Sequence, residues 1–97
     1  MKPAISLASH TCIPNDILYQ NLQGELVLLN IHTGVYFGLD RTGARMWQLI
    51  HAHQHAPLQR VLDMLLGEYD VRHDRCAGDL LNLVTRLEEN RLLEVTR

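Results

Sequence analysis

Three short apolar stretches with the period of strands fill residues 17–39, after which the pattern changes to that of helices. Ile17–Leu22, Glu25–Asn30 and Val35–Leu39 are charge-poor and rich in branched or aromatic residues, as strands are. Gln23 and Gly24 separate the first two. His32, Thr33 and Gly34 separate the second and third, with Gly34 supplying the positive φ of a tight hairpin. Asp40 then stands where an N-cap belongs, able to accept from the backbone N–H of Thr42 or Gly43. Ala44, Trp47 and Ile50 follow on one face, predicting a first helix over residues 42–51.

Pro57 suits the first position of a second helix, along which Leu58, Val61, Leu62, Leu65, Leu66 and Tyr69 form one continuous stripe. A third helix opens near His73 or Asp74 and runs to about Asn90, a residue that tolerates a left-handed C-terminal turn. Residues 92–95 predict a last short strand. Residues 1–16 carry no such pattern and are read as poorly ordered. A three-stranded antiparallel sheet followed by three helices predicts an α+β fold of winged helix-turn-helix type, with residues 1–97 forming a single domain.

Composition narrows the function classes. Of the 97 residues 46% are apolar, yet no run approaches the ~18 needed to cross a bilayer, and the N-terminus lacks the basic-then-apolar layout of a signal peptide. A soluble, cytoplasmic protein is expected. Nine Lys and Arg against 11 Asp and Glu give a net charge of −2, which suggests no polyanionic partner. Cys12 and Cys76 form no C-x-x-C pair and read as reduced thiols.

Candidate chemistry is sparse. His51, His53 and His55 place three imidazoles within five residues, but no Cys or carboxylate lies in that loop to complete a ligand set, so no metal or cofactor is assigned. Ser6 and Ser9 lie in the unpatterned N-terminus, and neither Cys has a base nearby in sequence. The chain therefore reads as non-enzymatic. Asp70, Asp74, Glu88 and Glu89 read as helix-end charges. A nucleic-acid-reading helix-turn-helix is the alternative from another class. Residues 70–91 weigh against it with four basic residues to five acidic ones, where a reading helix presents a basic excess.

The central string Leu29, Asn30, Thr33, Gly34, Tyr36, Leu39, Asp40, Gly43, Ala44 and Trp47, followed by Glu68-Tyr69-Asp70-Val71 and Leu92-Leu93-Glu94-Val95, resembles the PqqD-like family of leader-peptide-binding proteins in peptide natural-product biosynthesis. The spacing from Tyr69-Asp70-Val71 to Cys76, Asp79 and Leu80 is most similar to that of stand-alone members serving lasso-peptide precursors. Two positions depart from the usual pattern. His55-Ala56-Pro57 stands where a Ser or Thr cap often opens the second helix, and Arg91 where a Gly often closes the third.

The resemblance implies that a precursor's leader is held as an extra antiparallel strand in the cleft between the third strand and the third helix, and is presented to a separate modifying enzyme or transglutaminase-like leader peptidase. The implied leader-binding residues are Val35, Tyr36, Phe37, Gly38 and Leu39 on the strand and Cys76, Asp79, Leu80, Leu83 and Arg86 on the helix. The residues themselves support such a site. Val35–Leu39 carries no charge and no proline, so at a sheet edge it lacks the usual guards against pairing with another chain. The apolar arc of the third helix is wider than one core contact requires; at 100° per residue it leaves Cys76, Asp79, Leu83 and Arg86 on one margin and Leu81 on the other, with Val84 turned to the core. Either margin can face a groove. Coverage of the edge by residues 92–95 or by a second copy is the structural alternative. Energetics require both walls, since ordering six leader residues costs ~6–12 kcal/mol and each strand hydrogen bond returns only about 1 kcal/mol. Apolar anchors worth roughly 1.5–3 kcal/mol apiece must supply the remainder.

Overall fold

A computed structural model describes residues 4–97. In chain order the elements are β1 (His10–Cys12), β2 (Ile17–Leu22), β3 (Glu25–Asn30), β4 (Val35–Leu39), α1 (Arg41–Ala52), α2 (Leu58–Glu68), α3 (His73–Glu89) and β5 (Glu94–Thr96). The expected antiparallel sheet forms in the order β2-β3-β4. Gln23 (φ 55°) and Gly24 (φ 89°) make a two-residue turn with positive φ at both positions, whose twist matches that of the strands it joins. At the second turn Gly34 takes φ 77°, and the side chain of Asn30 accepts from the backbone of His32 (2.9 Å) and Thr33 (3.0 Å).

Strand alternation decides what the sheet offers on each face. Leu26, Leu28 and Leu39 are buried beneath the helices, and Phe37 packs against them. The other face carries Leu18, Leu29 and Tyr36 paired across the three strands, with Tyr36 71% exposed. Trp47 of α1 sits in the core together with Ile50, Leu58, Leu62, Leu65, Leu80, Val84 and Leu87, none of them more than 1% exposed. The stripe of α2 is buried from Leu58 to Leu65. Tyr69 lies beyond the helix as its C-cap and is exposed, because the chain there turns extended (φ −119°, ψ 143°). Arg45 of α1 pairs with Glu68 of α2 at 2.8 Å.

The N-terminal segment differs from its sequence reading. Residues 10–12 form a strand, β1, that pairs antiparallel with β5, and Ser9 and Thr11 are buried. Three residues are too few to show an alternation. The expectation for residues 1–3 lies outside the described residues. This segment also resolves the missing Ser or Thr cap of α2: Pro57 is the N-cap and not the first helical residue, and it offers no side-chain acceptor. The free N–H groups of Leu58 and Gln59 donate instead to the carbonyls of Ser9 and Leu7, both at 2.9 Å.

The end of α3 is likewise closed without glycine. Arg91, not Asn90, takes the left-handed conformation (φ 58°), and the N–H groups of Leu92 and Arg91 return to the carbonyls of Leu87 (2.8 Å) and Glu88 (3.0 Å) in a Schellman turn. The Asn30 amide nitrogen donates to the Arg91 carbonyl at 2.7 Å. One buried asparagine thus ties the β3–β4 turn to the C-terminus of α3 and sets the spacing between strand and helix.

Candidate functional site

β4 pairs with β3 on one side, and no described strand pairs with its other side, because β5 is used by β1. The open edge lies beside α3. Between them is a cleft of about 620 Å³ lined by Gly38 and Leu39 of β4, the start of α1, and Asp79, Asn82, Leu83 and Arg86 of α3. Asp40 turns the chain from strand to helix at this point by accepting from Gly43 N–H at 2.8 Å, which sets the first turn of α1 across one end of the cleft. At the other end the guanidinium of Arg86 lies 5.0 Å from the centroid of the Phe37 ring.

Of the predicted strand residues, Gly38 and Leu39 line the cleft and Phe37 flanks it under Arg86. Val35 is half-buried at the hairpin end. Tyr36 faces the opposite side of the sheet, beside Leu18 and Leu29, as its place between Val35 and Phe37 in the strand alternation requires. On α3, Asp79, Leu83 and Arg86 line the cleft and Leu81 does not. Two of the predicted helix residues do not line it. Leu80 is wholly buried in the core, and Cys76 is a buried residue of a smaller neighbouring pocket. Leu83 is 6% exposed and belongs to the core as well as to the cleft floor, so it and Val84 are not divided as cleanly as rotation alone predicts.

Thr42, Gly43, Met46 and Asn82 also line the cleft and were not read from the sequence. Asn82 sits between Asp79 and Arg86 on the same margin, a signal that its polarity masked. Thr42 and Met46 stand one turn apart on α1, where a cleft wall and a core stripe look alike.

Burial, and then the neighbouring carboxylate of Asp79, push the Cys76 thiol up from its ordinary range, so at neutral pH it stays protonated and a poor nucleophile. Among the described residues no three His, Cys, Asp or Glu side chains converge as metal ligands. His51 packs edge-on against Tyr19 at 5.6 Å, while the His55 backbone N–H donates to the Thr11 carbonyl and the His55 carbonyl accepts from His10 Nδ1. No described helix is long and apolar enough to cross a membrane.

Comparison with known proteins places this architecture. No curated protein matches the chain. Two solved structures are similar to it: TbiB1 in complex with the TbiA(β) leader peptide, 32% identical over 84% of this chain and 93% of that one with a TM-score of 0.76, and lasso peptide synthetase B1 complexed with the leader peptide, 27% identical over 88% and 98% with a TM-score of 0.74. Residues 25–93, which run from the first residue of β3 to just past the Schellman turn, match the model of coenzyme PQQ synthesis protein D (PqqD). The chain belongs to the PqqD family.

Proposed function

We propose that this protein binds the leader segment of a ribosomally made precursor peptide, in lasso-peptide biosynthesis, by taking it as a fourth antiparallel strand against β4. The observation that carries this reading is the edge of β4, uncharged, proline-free and unpaired among the described residues, with a cleft between it and α3. Backbone bonds to β4 supply register with little sequence choice. Choice comes from side chains that enter the cleft over Leu39 and Leu83 or meet the charges of Asp79 and Arg86. The similar proteins held in complex with leader peptides support the same occupant.

In this role the protein performs no chemistry itself. It is a cytoplasmic adaptor of winged helix-turn-helix type that uses neither metal nor cofactor. Holding the leader raises the local concentration of the attached core peptide, or of the cleavage site, at a separate modifying enzyme or transglutaminase-like leader peptidase. Fluorescence anisotropy with labelled TbiA(β) leader peptide tests the reading, with micromolar or tighter binding expected. Retention of DNA that weakens steeply with salt, together with no peptide binding, would support a nucleic-acid reader instead.

A further inference from the structure

The sheet has a second uncovered edge, on the side away from the cleft. Among the described residues β2 pairs with β3 alone, and its sequence, Ile-Leu-Tyr-Gln-Asn-Leu, carries none of the charges or prolines that normally keep an edge from pairing. Leu18, Tyr19 and Leu22 each leave about half of their surface open. The turn fixes which backbone groups this edge offers. In a two-residue hairpin the flanking residues, here Leu22 and Glu25, exchange both backbone bonds, so alternation back along β2 turns the N–H and C=O groups of Asn21 and Tyr19 outward.

The strand is symmetric in character about Gln20. In an antiparallel pair of two β2 strands with the two-fold axis at Gln20, Tyr19 of each copy stands opposite Asn21 of the other, and these are the residues whose backbone groups point out. Both backbone bonds are then exchanged on either side of the axis. On the face away from the helices Leu18 meets Leu22 of the other copy, and the two Gln20 amides face each other. Centring the pair one residue either way would set leucine opposite glutamine instead. Farther from the axis Asp16 falls opposite Gly24, over which Arg41 lies with its Nε 3.1 Å from where a Cβ would stand. A carboxylate thus comes to a guanidinium at both ends of the pairing.

An independent observation lies on the helix side of the same edge. Tyr19 packs edge-on against Trp47, with ring centroids 6.3 Å apart, and the two line a pocket of about 150 Å³ with Gln48 and His51. Trp47 is 1% exposed, yet among the described residues its indole N–H has no hydrogen-bond partner. Buried donors are ordinarily paired. Asn21 of a second copy, opposite Tyr19 and on the same face, brings an amide oxygen to this pocket, which is the acceptor the indole lacks.

We propose that β2 is a self-association edge, at which two copies of this chain pair antiparallel about Gln20 and Asn21 of each accepts from the Trp47 indole of the other. The two three-stranded sheets become one of six strands with a free β4 at each end. A pairing along one strand buries less than a standard interface, so the dimer is weak, with a dissociation constant in the tens to hundreds of micromolar. Two-fold pairing uses up both β2 edges and stops at the dimer.

Sedimentation equilibrium of the whole protein over a concentration series tests this, and a monomer–dimer equilibrium in that range is expected. Gln20→Lys and Gln20→Glu each set two like charges face to face at the axis and should weaken association by about tenfold or more. An equimolar mixture of the two variants should associate at least as well as wild type, because unlike charges then meet. Gln20 is exposed, and circular dichroism and the melting temperature report that the variants are folded. Trp47 is the chain's one tryptophan, so its single indole N–H resonance in a proton–nitrogen correlation spectrum should move downfield as wild type dimerises and hold still in Gln20→Lys at the same concentrations. Asn21→Ala should remove that movement. A monomer up to millimolar concentration, species larger than a dimer, association that ignores the Gln20 variants, or a mixture that does not recover would overturn the proposal. A dimer with the expected Gln20 behaviour but an unmoved indole would overturn the contact between Asn21 and Trp47. None of these readouts requires a leader peptide.

Discussion

The guanidinium of Arg86 lies 5.0 Å from the centroid of the Phe37 ring, and this contact joins the two walls of the cleft, one residue from α3 and one from β4. An exposed cation over an aromatic face is worth only ~0.5–1 kcal/mol. Its value to the fold is therefore small compared with its position. It holds a positive charge and an apolar ring beside the edge of β4, where the proposed leader strand would lie.

Arg86→Ala is expected to lower unfolding free energy by no more than ~1 kcal/mol while weakening leader binding by about tenfold. Arg86→Lys keeps the charge but loses the flat stacking surface, and should fall between the two. Urea denaturation and anisotropy titration of the same preparations separate the effects. A large stability loss with unchanged binding would show that the pair serves the fold alone.

The spacing of the cleft depends on Asn30, which is 5% exposed and makes three side-chain hydrogen bonds, two to the β3–β4 turn and one to Arg91 at the end of α3. At about 1 kcal/mol per bond, Asn30→Ala should cost roughly 2–3 kcal/mol. Asn30→Asp keeps the two acceptor contacts but cannot donate to the Arg91 carbonyl, and it places a charge in a buried site. Chemical denaturation of both variants checks this; a loss under ~0.5 kcal/mol for Asn30→Ala would mean that the turn and helix end hold their geometry without it.

Arg91 holds a left-handed conformation that costs an L-residue roughly 1–2 kcal/mol. Glycine removes that penalty but adds entropy to the unfolded chain. Arg91→Gly is therefore expected to raise stability by about 0.5–1 kcal/mol, seen as a higher melting temperature with leader binding unchanged. A lower melting temperature would mean that the arginine side chain contributes more than its backbone costs.

The strands and the three helices were legible because each repeats its period long enough to be seen. The Asp40 cap bonds Gly43, and Trp47 sits in the core as its place on the stripe of α1 requires. What the sequence hid came from contacts between distant segments. β1 is three residues long and owes its existence to β5, some eighty residues away in sequence. The cap of α2 is two backbone carbonyls from Leu7 and Ser9, which no side-chain pattern announces. On α3 the arc of apolar residues was visible, but only packing could show that Leu80 is core, that Cys76 belongs to a pocket past the strand, and that Asn82 lines the cleft.

Residue-resolved amide hydrogen exchange, with and without saturating TbiA(β) leader peptide, tests leader binding at β4 most directly, because the three-stranded sheet has two edges at which a strand can add. Among the described residues β2 also has no strand on its outer side, and it carries neither charge nor proline. Strand addition at β4 predicts that alternate amides within Val35–Leu39, those pointing to the open edge, become strongly protected while Ile17–Leu22 is unchanged. Protection of Ile17–Leu22 with Val35–Leu39 unchanged, or binding without protection at either edge, would contradict it.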